Sequence, residues 1–76
     1  MMLEKMKEII GNYVEVAPEE ITENARFIED LGLNSYDFMC MLGDLETEFD
    51  VTVDENEVVD LETVGQAIAY LEQLQK

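Results

Sequence analysis

The sequence predicts an all-α fold: a small four-helix bundle with a long loop between its first and second helices and a short third helix. Apolar residues recur three and four positions apart near the start, middle and end of the chain, the spacing of helices with one buried face. Cap signatures stand where the later helices should start. No strand pattern competes, because Val51–Val53 alternates but is too short and has no partner. At 76 residues the chain is expected to form one domain, 1–76, burying only roughly 60% of its unfolded surface.

The first helix should span about Met2 to Tyr13, with Leu3, Met6, Ile9, Ile10 and Tyr13 on its buried face and Gly11 and Asn12 at its fraying end. A loop of about twenty residues follows, long for a compact domain and therefore a place to look for function. Pro18 bars a continuous helix through its start. Val16, Ile21, Phe27, Ile28 and Leu31 are its expected anchors to the core. The second helix should run from Ser35 to about Phe49. The third is short, with Asp54 as cap and Glu57 at the reciprocal capping-box position, and holds Val58 and Val59. The fourth starts with Thr63 as cap and Gln66 as its partner; Val64, Ala67, Ile68, Leu71 and Leu74 form its buried stripe.

Composition excludes several classes of function. Nineteen acids face four bases, a net charge of −15, and the segment from Phe27 to Gln75 holds thirteen acids and no Lys or Arg. Such a surface repels nucleic acid and anionic membrane, and attracts basic protein patches and divalent cations. A single Cys forms no internal disulfide, and one Cys with no His leaves no zinc ligand set. Without His, neither a Ser-His nor a Cys-His nucleophile can be assembled from this chain. No apolar run approaches the ~20 residues that cross a bilayer. The N-terminal MMLEKMKEII reads as a charged helix and not as a signal peptide, so a cytoplasmic protein is expected.

The second helix is the most informative element. Placed at about 100° per residue, Met39, Leu42, Leu45, Phe49 and Phe38 group as the core side. Asp37, Met41, Asp44 and Glu48 group opposite, with Cys40 nearby, so Met41 is expected to emerge within an outward acidic stripe. That stripe is either a solvated face with one tolerated exposed Met, or a docking face whose acids steer a basic partner while Met41 gives adaptable apolar contact. Gly43 costs ~1 kcal/mol relative to Ala inside a helix. Close packing against a neighbouring segment would explain it, as would a soft spot that lets the helix shift around a buried ligand.

Ser35 stands after Gly32-Leu33-Asn34 and before this helix. Its plain role is N-cap. A helix N-terminus also offers unpaired N–H groups and the positive end of the dipole, so a phosphodiester formed on Ser35 would sit in a favourable field. Asn34 could help to cap the helix or contact that phosphate.

The string EDLGLNSYDFMCMLGDLETEFDVTV resembles the carrier signature of acyl carrier proteins. VAPEEITENARF is similar to that family's loop after its first helix, and LETVGQAIAYLEQ to its last helix, so the resemblance spans essentially the whole chain. It implies a four-helix bundle of acyl-carrier type. It implies that Ser35 accepts covalent 4′-phosphopantetheine from coenzyme A through a phosphopantetheinyl transferase. The protein would then be no enzyme itself, holding acyl intermediates as thioesters and presenting them to acyl-processing enzymes with basic docking patches. The family's recognition surface maps onto Tyr36, Asp37, Met39, Glu46 and Glu55, beside Met41, Asp44 and Glu48 of the stripe. A monomer is implied, with no nucleic-acid or membrane partner.

Three departures from the family pattern point to a specialised carrier. Asn34 replaces the usual Asp before the serine, Cys40 stands where an acid is common, and Tyr36 and Phe38 are bulkier than usual beside the attachment site. Fatty-acid, polyketide and related acyl pathways all fit. Two alternatives remain: an acidic helical interaction module without a prosthetic arm, and an aminoacyl or peptidyl carrier. The second lacks its usual Gly-Gly-His/Asp-Ser, since this chain reads GLNS. A calcium-binding helical protein fits poorly, because Phe49 stands where the loop of such a site needs Gly. The crowded negative charge should weaken the fold at low ionic strength. Added salt or Mg²⁺ is therefore expected to raise the melting temperature; a flat series of melts across a salt titration would contradict this.

Overall fold

The computed structural model describes residues 2–75. Four helices appear in the expected order: α1 (Met2–Gly11), α2 (Ser35–Phe49), α3 (Glu55–Val58) and α4 (Val64–Leu74), with a 3-10 turn at Pro18–Glu20. The chain is a small four-helix bundle, as expected, and no strand forms among the described residues; Arg26 and Thr63 make one isolated bridge.

α1 packs against both α2 and α4. It buries Met6, Ile9 and Ile10, with Leu3 and Tyr13 half-buried beside them, the face its spacing predicts. It ends at Gly11, two residues before the expected limit, and Tyr13 is held by a turn, its N–H donating to Ile10 O at 2.9 Å.

The long loop is a packed element in its own right. Ile21, Ala25, Phe27, Leu31 and Leu33 supply five of the sixteen buried apolar residues, more than α2 does. Val16 packs half-buried, as expected of an anchor. Ile28 does not: it is 53% exposed. The backbone from Arg26 to Leu33 coils tightly, with Leu31 N–H on Arg26 O and Leu33 N–H on Phe27 O, both at 3.0 Å. Consecutive side chains therefore diverge, and Phe27 enters the core while Ile28 leaves it. Gly32 takes φ 79°, which a side chain would resist.

Loop and α4 are stitched together by backbone bonds. Phe27 N–H donates to Glu62 O at 2.9 Å, Val64 N–H to Ala25 O at 3.0 Å, and Gly65 N–H to Glu23 O at 2.8 Å. A Cβ on Gly65 would lie 3.0 Å from Glu23 O, so glycine permits the close approach. The expected capping box forms: Gln66 N–H donates to Thr63 Oγ1 at 3.2 Å and Gln66 Oε1 accepts from Thr63 N–H at 3.1 Å. Val64, Ala67, Ile68 and Leu71 are buried and Leu74 half-buried, the predicted stripe.

α3 is a single turn. Asp54 caps it by accepting Asn56 N–H at 2.8 Å. Glu57 does not close a capping box; it accepts instead from the Tyr70 hydroxyl at 2.8 Å, while that oxygen accepts Asp54 N–H at 2.9 Å. α4 thus holds α3 by its cap. Val58 is buried, but Val59, one step on, is 75% exposed.

Gly43 is not explained by close packing, because an added Cβ there would meet nothing within 4 Å. The helix carries an unpacked glycine at full conformational cost. Gly43→Ala is expected to stabilise the fold by ~1 kcal/mol, read as a melting temperature higher by roughly 4–8 °C. A lower melting temperature would show a constraint at this position that the packing lacks.

Candidate functional site

Asn34, not Ser35, caps α2. The Asn34 side chain accepts Asp37 N–H at 2.7 Å and its carbonyl accepts Phe38 N–H at 2.9 Å. Ser35 becomes the first helical residue, with an exposed side chain. The N–H groups of Ser35 and Tyr36 have no acceptor among the described residues. They and the helix dipole point positive charge at the space beside the Ser35 hydroxyl.

The orientation of α2 differs from the expected one. Met41 is fully buried and Met39 is 47% exposed. The reason is α1, which lies along the Met41–Asp44–Glu48 line: Tyr13 donates its hydroxyl to Asp44, and Lys5 pairs with Glu48 at 3.6 Å. Asp44 and Glu48 nonetheless stay exposed beside the α1 contact, so of the expected stripe it is Met41 that leaves the surface. Glu46 borders the other side, where its Oε2 accepts Val53 N–H at 2.8 Å and ties down the segment after the helix. Asp37 is half-buried at the α1 edge, and Glu55 is exposed at the head of α3. A second line is uncharged: Tyr36, Cys40, Gly43 and Thr47, spaced four, three and four apart, with Tyr36 and Thr47 exposed, Cys40 and Gly43 half-buried, and Met39 alongside. Cys40 is half-buried, as expected of a small apolar residue.

A groove of about 430 Å³ opens beside Ser35. The loop supplies Arg26, Phe27, Ile28 and Glu29; α2 supplies Ser35, Phe38 and Met39; Val58, Val59, Leu61 and Glu62 close the far wall. The large exposed apolar side chains among the described residues are Ile28, Tyr36, Met39 and Val59. Three of them line this groove, and the fourth adjoins Ser35 in sequence. Ile28 and Val59 were not among the sequence-based site candidates. Their signal lay in the adjacent pairs Phe27-Ile28 and Val58-Val59, of which one member faces in and the other out.

Arg26 is the groove's one cationic side chain, and it is already engaged. Its guanidinium meets Glu29 at 2.6 Å and Asp30 at 3.3 Å. The Arg26 backbone N–H, donating to Asp30 at 2.8 Å, and then the guanidinium hold the Asp30 carboxyl below the usual carboxylate range.

A family model described as "Phosphopantetheine attachment site" matches residues 4–71, a span that contains Ser35 and every residue of the groove.

The Tyr13–Asp44 contact makes a pH-dependent link between the turn after α1 and α2. Asp44 accepts the phenol proton, so ionising Tyr13 would set two negative charges together; its pKa is pushed up to about 12 from an ordinary 10.0. The neutral phenol's contribution is complete below pH ~10 and is lost as pH rises through the folded value. In a near-ultraviolet titration of the tyrosinates, one phase is expected at about 12, absent from Tyr13→Phe and moved down in Asp44→Asn. A titration completed near the ordinary value would rule the link out.

Proposed function

Because this chain belongs to the phosphopantetheine attachment site family, whose members bear 4′-phosphopantetheine covalently, we propose that Ser35 is the attachment residue and that the protein is an acyl carrier. One observation carries the assignment. Ser35 is the only serine in the chain, and it presents an exposed hydroxyl at the head of a helix with free amides, on the wall of an apolar groove. A phosphate ester at that oxygen finds N–H donors and the positive end of the dipole within the first turn of α2. The arm's thiol is what holds an acyl group as a thioester. The chain's own residues position the ester and offer a surface for cargo and enzymes.

Phosphopantetheinyl transferase and acyl-processing enzymes are the proposed partners, drawn from fatty-acid, polyketide or a related biosynthesis. An enzyme that reaches the Ser35 oxygen must contact its surroundings, where Ile28, Tyr36, Met39 and Val59 are the exposed apolar side chains and Arg26, Glu29 and Glu62 the charged rim. Docking therefore rests on apolar contact. Asp37, Asp44, Glu48 and Glu55 flank it as the field that draws in a basic surface. Met41 has no direct part, since it is buried. Glu46 serves the fold first, through its bond to Val53.

The test is an intact-mass measurement after incubation with coenzyme A and a broad-specificity transferase. The expected result is a gain of one phosphopantetheine in the wild type and none in Ser35→Ala. No gain with several transferases, the native host's included, would leave an acidic interaction module without an arm.

A further inference from the structure

The floor of the groove decides how far anything tethered at Ser35 can reach inward. Phe38 stands three residues along α2 from Ser35, and its ring packs on Phe27 with centroids 5.2 Å apart and planes tilted by 54°. That is the spacing of a favourable aromatic pair. Phe27 is 1% exposed, and the same face of α2 continues into the buried Leu42 and Leu45. The outer half of the groove is different in kind. Met39 and Val59 stand exposed there, and Arg26, Glu29 and Glu62 bring charge to the rim.

On the reading that Ser35 bears the arm, we infer that the Phe27–Phe38 pair is a stop, and that this carrier takes short or polar acyl groups lying across Met39 and Val59. A long alkyl chain threading between α2 and the core would have to part the two rings and turn Phe38 out of its packed position. Apolar burial and close packing would be lost at both rings before the chain recovered any. A short or polar group meets no such cost. It covers the exposed Met39 and Val59 and keeps its polar atoms near water and the charged rim. Phe38 is thus a specificity-determining residue: it acts by refusing depth, while Phe27 backs it from the loop.

The test compares the full chain loaded with butanoyl- and dodecanoyl-phosphopantetheine, in the wild type and in Phe38→Ala. Thermal melts and the rate of thioester cleavage by hydroxylamine are read. The two wild-type forms are expected to melt together and to be cleaved at similar rates. In Phe38→Ala the dodecanoyl form should melt higher and be cleaved several-fold more slowly than the butanoyl form. A wild-type dodecanoyl form that is already protected overturns the inference, as does a Phe38→Ala protein that treats both chains alike. Should Phe38→Ala not fold, Phe38→Leu removes the ring pair at lower cost in volume, and the same split is expected. If no arm can be added, the carrier reading has failed in the mass measurement. The stop is then tested without a transferase, by alkylating Ser35→Cys in a Cys40→Ser background with butyl or dodecyl iodoacetamide. Each forms a thioether with loss of iodide, and the melts are read in the same way.

Discussion

The seam between the long loop and the head of α4 is the constraint on which the rest of the structure depends. A loop that contributes five buried apolar residues must also bring its backbone inward, and every N–H and C=O it carries then needs a partner. The start of α4 has the matching need, because the first amides of a helix have no partner within it. Each side answers the other: Ala25 and Glu23 carbonyls accept from Val64 and Gly65, and Glu62 accepts from Phe27. The Thr63–Gln66 box completes the set. The seam fixes Phe27 in the core, Phe27 sets the ring against which Phe38 packs, and the following coil delivers the chain to the Asn34 cap. The position of Ser35 is thus decided by the opposite walls of its own groove as much as by its helix.

Charge is divided between structure and surface in a way that the net value of −15 conceals. Several acids hold the fold: Glu46 on Val53, Asp54 on the head of α3, Glu57 and Asp44 on tyrosine hydroxyls, Asp30 on Arg26. N–H and O–H donors thereby take the place of the cations that most of these acids lack, Asp30 alone among them also meeting a guanidinium. The surface around Ser35 and along the Tyr36–Thr47 line of α2 is then left largely uncharged, with acids at its edges. Screened fields in physiological salt still reach about 8 Å. On the proposed carrier reading, flanking acids bias the approach of a basic partner without making contact, while affinity rests on apolar atoms they do not cover.

The helices were legible in the sequence, because periodicity and caps are local. The stripes of α1 and α4 and the cap pair Thr63–Gln66 stand as read, and α2 has its expected limits. What the sequence could not settle was direction. Phe38 to Leu42 are five apolar residues in a row, so the helix has no single apolar side from which to set its rotation, and only the position of α1 decides that Met41 is buried and Met39 is not. The pairs Phe27-Ile28 and Val58-Val59 were ambiguous for a related reason: outside a regular helix or strand no period says which member faces inward. Ser35 and Asn34 are both good caps by type, and the choice between them was one of register.

The exposed large apolar side chains gather in one region, whereas the left-handed Asp50 closes the far end of α2. Away from Ser35 the large apolar side chains among the described residues are at least half-covered, and α3 and α4 have side-chain caps. Around it, Ile28, Tyr36, Met39 and Val59 are left in water, and Gly43 sits unpacked on the same uncharged line as Tyr36. Each choice costs stability that a small domain can hardly spare. Exposed apolar atoms in such a cluster gain nothing from the isolated fold; they gain only when something else covers them. Sequence rules fail most where a second molecule completes the environment. Here that failure surrounds Ser35, the proposed attachment residue, and on that proposal the free chain is one half of a series of temporary interfaces.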